Sequence, residues 1–232
     1  MYKYHDNDTK FIDQRHNQFK KQVTRYFDNE LSDDQFRSIR LRNGLYQELH
    51  AYMLRVLIPY GSLNSKQLNQ LGLIADKYDR GYGHFTTRQN IQFNWIDLSQ
   101  INSIIADLAK VDMHAIQSSG KTVRNISADP LSGIRKDEVA DARPYCELIR
   151  QWFTLHPEFS WLPGKFKIAI NGSENDEIGI QFNDLGLQLV LNDKHELGFS
   201  VYAGGGLGAA PMLAPKIKSF VPEIDILSYI ES

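Results

Sequence analysis

Met53-Leu54-Arg55-Val56-Leu57-Ile58, closed by Pro59-Tyr60-Gly61, reads as a β-strand with a hard stop. Just downstream, Ser65 stands where an N-cap belongs. Leu68, Leu71, Ile74 and Tyr78 then recur on one helical face before Arg80-Gly81 ends the run. His84 to Trp95 reads as the next strand. Asp97 opens a second helix with Ile101, Ile104, Ile105, Leu108 and Val111 at helical spacing, and His114 to Ser118 reads as a third strand. The order β-α-β-α-β within residues 51–117 predicts helices laid over a sheet.

Outward from this unit the pattern changes. Residues 8–30 are polar, with Phe11, Phe19, Val23 and Phe27 as a thin apolar stripe, which predicts an amphipathic helical arm. Ser32-Asp33-Asp34 opens another short helix toward Gly44. On the C-terminal side, Lys121 to Ser127 is expected to be extended. Asp137 to Leu155 is expected to be helical, with Cys146, Leu148 and Ile149 near its apolar side. Strands are expected at 165–171, 177–183, 186–191 and 196–203, and a helix around 211–220. Ile224 to Ile230 reads as the opening of a further helix. The whole is an α+β chain whose second part holds a mainly antiparallel sheet.

Composition narrows the function classes. The chain has 232 residues, 42% of them hydrophobic and 23% charged. At this size folding removes roughly 72% of the unfolded surface from water, so a core can form and disorder is excluded for most of the chain. Lys and Arg number 26 against 28 Asp and Glu, a net charge of -2 that argues against a dedicated nucleic-acid binder. No stretch approaches ~18 unbroken apolar residues, so no membrane span is expected. Met1-Tyr2-Lys3-Tyr4-His5-Asp6 lacks a charged-then-apolar leader pattern, and the expected location is cytoplasmic. Cys146 is the single cysteine, which excludes an internal disulfide and a thiolate-ligated metal or iron–sulfur site made by this chain alone. The seven histidines form no ligand-spaced pair, so no metal site is expected.

Three stretches carry candidate chemistry. If His84–Trp95 is one strand, alternation puts Ile91, Phe93 and Trp95 on one face and Arg88, Asn90, Gln92 and Asn94 on the other. That polar face is either solvated or a hydrogen-bonding platform for an anion. Lys165 and Lys167 alternate with Phe166, Ile168 and Ile170, and are either two solvated lysines or a pair that shares an anion. Arg124 adds a cation on an extended piece. Gly204-x-Gly206-x-x-Ala209 formally fits a dinucleotide fingerprint, but the strands before it look antiparallel and Pro211 sits in the next turn. A glycine-rich turn still suits carboxylates or phosphates. Cys146, mid-helix among apolar neighbours, reads as a packing thiol.

Taken in order, Gly81-Tyr82-Gly83-His84-Phe85-Thr86-Thr87-Arg88-Gln89-Asn90, Arg124-Asn125, Leu162-Pro163-Gly164-Lys165-Phe166-Lys167 and Gly204-Gly205-Gly206-Leu207-Gly208 resemble the sirohaem-containing sulfite and nitrite reductases. The resemblance implies a helical arm over 1–48, a ferredoxin-like half domain over 49–118, and the first part of a sirohaem and 4Fe-4S domain over 119–232. It implies six-electron reduction of sulfite to sulfide, or of nitrite to ammonia, at sirohaem iron coupled to an iron–sulfur cluster. Arg88, Arg124, Lys165 and Lys167 would line the substrate side. Asn90, Gln92, Gly204, Gly205, Gly206 and Gly208 would meet the macrocycle or its carboxylates. Lys167, where nitrite reductases tend to carry Asn, favours sulfite.

The family often has Arg where Gly164 and Ala209 stand. It also places the four cluster cysteines in a second half of similar length. The expectation is therefore a first pseudo-repeat that is catalytically incompetent by itself, forms a homodimer in place of the missing half, and draws electrons from a flavoprotein or a ferredoxin. A non-catalytic tetrapyrrole- or anion-binding module is the competing class.

Overall fold

The computed structural model describes residues 6–232, so the Met1–His5 stretch read for a leader lies outside the described residues. The chain divides into two compact units, residues 1–58 with 62–120, and residues 59–61 with 121–232.

In the first unit, α1 (Asp6–Phe27) and α2 (Asp33–Arg42) precede β1 (Leu45–Gln47), β2 (Tyr52–Val56), α3 (Ser65–Tyr78), β3 (His84–Phe85), β4 (Ile91–Ile96) and α4 (Ile101–Ala109). The four strands form one sheet in the order β1-β2-β4-β3, antiparallel throughout. Leu54, Val56, Ile91, Phe93 and Ile96 from the sheet meet Leu71, Ile74 and Tyr78 of α3 and Ile101, Ile104 and Leu108 of α4 in one core. Phe19 and Val23 of α1 and Phe36 of α2 enter the same core, so α1 is an integral layer. Phe11 and Phe27 of its expected stripe stay exposed, and Ile12 is buried in their place.

Several sequence expectations shift here for identifiable reasons. Asn64, not Ser65, caps α3: its side chain accepts from Gln67 N–H at 2.8 Å while the Gln67 side chain accepts from Asn64 N–H at 3.0 Å. The helix is thereby rotated so that Gln67 and Ala75 are buried and Leu68 is 55% exposed. His84–Trp95 is not one strand but a hairpin. Thr86 N–H donates to the Asn90 carbonyl at 2.8 Å, and Gln89 takes a positive φ of 58° between them. In β4, Asn94 and Trp95 together oppose the single Met53 of β2 between the Tyr52–Ile96 and Leu54–Phe93 pairs. This bulge brings Ile96 into the core in place of Trp95. His114–Ser118 is no strand. A turn closes it, with Gln117 at φ 56° and Ser118 N–H on the Ala115 carbonyl. The expected third strand is absent there, and the missed β1 and β3 complete the sheet.

In the second unit, β5 (Ser127–Ala128), α5 (Arg143–Phe153), β6 (Ile168–Asn171), β7 (Leu185–Leu191), β8 (Leu197–Ala203), β9 (Lys216–Pro222) and α6 (Ile226–Glu231) build one five-stranded sheet in chain order. β5, β6 and β7 are parallel neighbours, while β8 and β9 pair antiparallel. Cys146, Ile149 and Phe153 line the buried side of α5, and Tyr145 meets Phe199 of β8 edge-on at 5.1 Å between ring centres.

α5 begins at Arg143, with Pro144 in its first turn, six residues later than the sequence suggests. Residues before it are held extended, Val139 N–H donating to the Gly172 carbonyl at 2.7 Å. Leu148 is exposed, not part of the apolar side. Residues 177–183 form a tight turn despite their alternation. Asp176 accepts from the amides of Gly179 and Ile180 at 2.9 and 2.8 Å, and Asn183 caps the far side. The expected helix around 211–220 is strand β9. Pro215 cannot donate in a helix, and Lys216–Pro222 pairs with β8 instead.

Arg135 is the electrostatic centre of the loop after β5. It binds Asp129 at 3.0 Å, Asp137 at 3.1 Å and Glu177 at 3.0 Å, and the Asp129 side chain is almost wholly buried. Hydrogen bonds from Arg135 hold the Asp137 and Glu177 carboxyls below the usual carboxylate range.

These contacts carry three predictions. Asn64→Ala should cost about 1 kcal/mol and Leu71→Ala about 2–5 kcal/mol. Leu68→Ala should stay within about 0.5 kcal/mol, all three read by denaturant unfolding. Asp129→Ala strips one of three carboxylates from Arg135 and should lower the denaturant midpoint. Because Asp137 and Glu177 titrate low when folded, the stability they add is present above the ordinary carboxylate range and lost as pH falls through it. Thermal unfolding across the acid range should show a shallower loss in Arg135→Ala than in the unaltered chain.

Candidate functional site

Parallel strands must all enter a sheet at the same end. In the second unit this places the approaches to β5, β6 and β7 side by side, with the exit of antiparallel β8 next to them. The candidate residues of this unit occupy that end.

Lys121–Arg124 runs alongside Leu162–Lys167. Leu162 N–H donates to the Lys121 carbonyl at 3.1 Å, Phe166 N–H to the Thr122 carbonyl at 3.1 Å, and Arg124 N–H to the Phe166 carbonyl at 2.8 Å. The Val123–Phe166 bridge turns those two side chains one way, so its neighbours Arg124 and Lys167 share the other side of the ladder, with strands about 4.8 Å apart. Lys165 is exposed, while Arg124 and Lys167 are half-buried. Lys167 is tied in turn to the β7 entrance: its N–H donates to the Asp184 carboxylate at 2.8 Å, and its carbonyl accepts from Leu185 N–H at 3.0 Å. The Asp184 carbonyl accepts from Gly204 N–H at 2.9 Å. Arg124, Lys167, Asp184 and Gly204 therefore form one row across four neighbouring segments.

The glycine-rich stretch divides into two kinds of position. A Cβ at Gly205 would stand 2.1 Å from the Gln181 carbonyl and 2.5 Å from that of Asn183, so close packing of the protein itself demands glycine there. Around Gly204, Gly206 and Gly208 a Cβ would meet nothing within 4 Å, and Gly204 holds φ +91°. These three present bare backbone to open space. The Gly204 amide is engaged by Asp184, and Gly206 and Met212 exchange both backbone bonds at 2.9 Å. The amides of Gly204 and Gly206 are thus spent within the protein. No helix follows this turn, and β9 lies antiparallel to β8, so the dinucleotide fingerprint has no structural counterpart.

The remaining candidates lie in the first unit. Arg88 sits in the β3–β4 hairpin loop, not on a strand face. Thr86 Oγ1 accepts from the amides of Arg88 and Asn90 at 3.3 and 3.2 Å and shapes that loop. Asn90 is buried and its Oδ1 accepts from Ile58 N–H at 3.2 Å. Gln92 Oε1 accepts from Arg55 at 2.6 and 3.0 Å, and Arg55 also reaches the Tyr46 hydroxyl at 3.0 Å. The four-residue polar platform expected on one strand is therefore divided: Arg88 and Asn90 belong to the loop, and Gln92 is clamped by Arg55. Two residues escaped the sequence reading: Arg55 in the first unit and Asp184 in the second, neither of which belongs to a motif of candidate residues.

Among the described residues no three His, Cys, Asp or Glu side chains gather as metal ligands. Cys146 is fully buried, and burial pushes its thiol well above the usual range, which does not fit a thiolate ligand. No helix of the described residues is long and apolar enough to cross a membrane.

Comparison with known proteins agrees with these motifs. Residues 46–111 match the nitrite/sulfite reductase ferredoxin-like half domain, and residues 119–232 the nitrite and sulphite reductase 4Fe-4S domain. A ferredoxin sulfite reductase of Mycobacterium tuberculosis is 31% identical over 175 residues, covering 75% of this chain and 31% of that protein. A ferredoxin–nitrite reductase of Leptolyngbya laminosa is 33% identical over 187 residues, covering 78% of this chain and 36% of its own. The chain thus spans about a third of the length of these relatives. The solved structure of the M. tuberculosis NirA protein matches with a TM-score of 0.77 and 25% identity, over 91% of this chain and 44% of that one. A dissimilatory sulfite reductase shares the fold at a TM-score of 0.66 and 11% identity. The chain belongs to the nitrite and sulfite reductase family of oxidoreductases.

Proposed function

We propose that this chain carries the anion-holding side of a sirohaem reductase site, and that its substrate is sulfite. The observation that carries the reading is the row Arg124–Lys167–Asp184–Gly204, with Lys165 beside it and the open glycine backbone at its end. Sirohaem, when bound, supplies an iron through which electrons reach the substrate. Its carboxylates are complementary to the cations gathered here, and a flat ring can approach Gly204, Gly206 and Gly208 where no Cβ intervenes. The fit is thus one of charge and of open backbone.

Arg124 and Lys167 hold the oxyanion between two charge-assisted donors, and Lys165 adds a third cation. Guanidinium and ammonium N–H groups also polarise the bond from the central atom to oxygen and hold protons next to the oxygen that leaves. Arg88, on its rigid hairpin loop, is the fourth cation of the proposed set. Asn90 and Gln92 are the residues proposed to meet the macrocycle's carboxylates; Gln92 would do so through its amide N–H, because its oxygen already accepts from Arg55. The proposed electron donor is a ferredoxin, as the names of the relatives state for those proteins. A 4Fe-4S cluster belongs to the family, but Cys146 does not fit as its ligand, and no role in this chain is assigned to one.

The choice of sulfite rests on Lys167. Sulfite ionises to a dianion near neutral pH whereas nitrite carries at most one charge, so a second ammonium stabilises sulfite more. In the sirohaem-loaded protein, titration followed by haem absorbance should show Lys167→Asn weakening sulfite about tenfold, roughly one charge-assisted hydrogen bond. Nitrite should weaken by no more than about threefold. Equal losses for both anions would remove the case for sulfite. Haem uptake with no response to either anion would favour the non-catalytic tetrapyrrole-binding module.

A further inference from the structure

We infer that Asp184 is a positioning residue: it fixes Lys167 against the glycine-rich loop and thereby sets the geometry of the anion site. The inference deepens the proposed function and rests on it.

Asp184 joins two elements from a single position. Its Oδ2 accepts from Lys167 N–H at 2.8 Å, and its main-chain carbonyl accepts from Gly204 N–H at 2.9 Å. Ile168 opposite Leu185 and Leu185 opposite Ala203 are the first register pairs on either side, so Asp184 stands between Lys167 and Gly204 just outside the ladder. At this place the regular ladder gives way to a side-chain bond: Leu185 N–H still reaches the Lys167 carbonyl, while Lys167 N–H donates to the Asp184 carboxylate. The turn that presents Asp184 is itself rigid. Asp176 and Asn183 close it by side-chain bonds, and Gln181 bonds to Ala214 on both its amide nitrogen and its carbonyl, which docks the far arm of the glycine loop.

Charge makes the assignment testable. A carboxylate beside a site for anions repels the ligand, yet the bond to Lys167 needs only an oxygen acceptor. Asn supplies the acceptor without the charge, and Ala supplies neither. Positioning and electrostatics therefore act in opposite directions in the two variants. Asp184→Asn should keep Lys167 in place and tighten anion binding about two- to fivefold, because one nearby negative charge is gone. Asp184→Ala should release the Lys167 amide and weaken binding by about tenfold, the loss of one well-placed charged contact.

The experiment is amide NMR on the full chain, with hydrogen exchange at Lys167 and Gly204 and titration with sodium sulfite against sodium chloride at equal ionic strength. Faster exchange at Lys167 in Asp184→Ala, its rescue in Asp184→Asn, and opposite changes in sulfite affinity are the expected results. Unchanged exchange at Lys167 in Asp184→Ala would overturn the positioning role whatever the sulfite data show. Altered exchange with sulfite affinity equal in all three proteins would overturn the link from position to binding. Absence of any sulfite response in the unaltered chain, with exchange behaving as expected, would instead overturn the proposed function.

Discussion

Parallel pairing is the constraint on which this site depends. Strands that run in the same direction cannot be joined by a tight turn, so each returns to the same end of the sheet before it begins. For β5, β6 and β7 that end receives the segments holding Arg124, Lys165, Lys167 and Asp184. Antiparallel β8 then delivers Gly204–Gly208 to the same place by leaving the sheet there. Residues from 124 to 208 meet without any one local motif requiring it. α5 makes the arrangement possible as the crossover from β5 to β6, and its buried Cys146, Ile149 and Phe153 anchor it to the sheet.

The first unit obeys a different rule. Its strands are antiparallel and its helices lie on one face, so one face of the sheet is core. Arg55 and Gln92 pair across β2 and β4 on that sheet, and the long Arg55 side chain bridges to Tyr46 and to the Ser118 carbonyl. A charged residue in the apolar run Met53–Ile58 is thereby explained: it holds the sheet to the segment after α4. The same sheet projects the hairpin loop with Arg88. A short loop on paired strands is a stiffer platform than an exposed strand face, because Thr86 already satisfies two of its amides.

How much of this was legible in the sequence follows from which forces act locally. Helices with strong 3.6-residue periodicity, such as Ile101–Leu108, could be read directly, since burial and spacing agree. The helix opening at Ser32-Asp33-Asp34 was equally readable, and the structure adds a capping box with Gln35 there. Failures gathered where side chains bond to nearby main chain. Asp176 and Asn183 turn an alternating stretch into a loop, Gln89 takes a left-handed conformation inside a polar run, and Asn64 outcompetes Ser65 as cap. β9 was missed because a long irregular loop separates it from β8 and most of its residues face solvent, which hides the alternation. The family motifs pointed to the cations as candidates, but not to Asp184, since a lone acid in a turn has no signature until register puts it between Lys167 and Gly204.

The arrangement also fixes how the site and the stability of the second unit are coupled. Cations brought onto neighbouring strands raise the electrostatic energy of the fold, more so where they are half-buried than where water screens them. Asp184 offsets part of that energy through the main chain of Lys167. An anion seated among Arg124, Lys165 and Lys167 would offset more, and because the unfolded chain does not hold these residues together, its binding free energy would add to folding. A site of this kind is most costly when empty. The hydrogen-bonded ties around it, Phe166 to Thr122 and Arg124, Leu185 to Lys167 and Ala214 to Gln181, are what allow the cations to stay close before any ligand arrives. The order of the proposed site is therefore maintained by main-chain bonds that carry no charge, whatever the charged side chains meet.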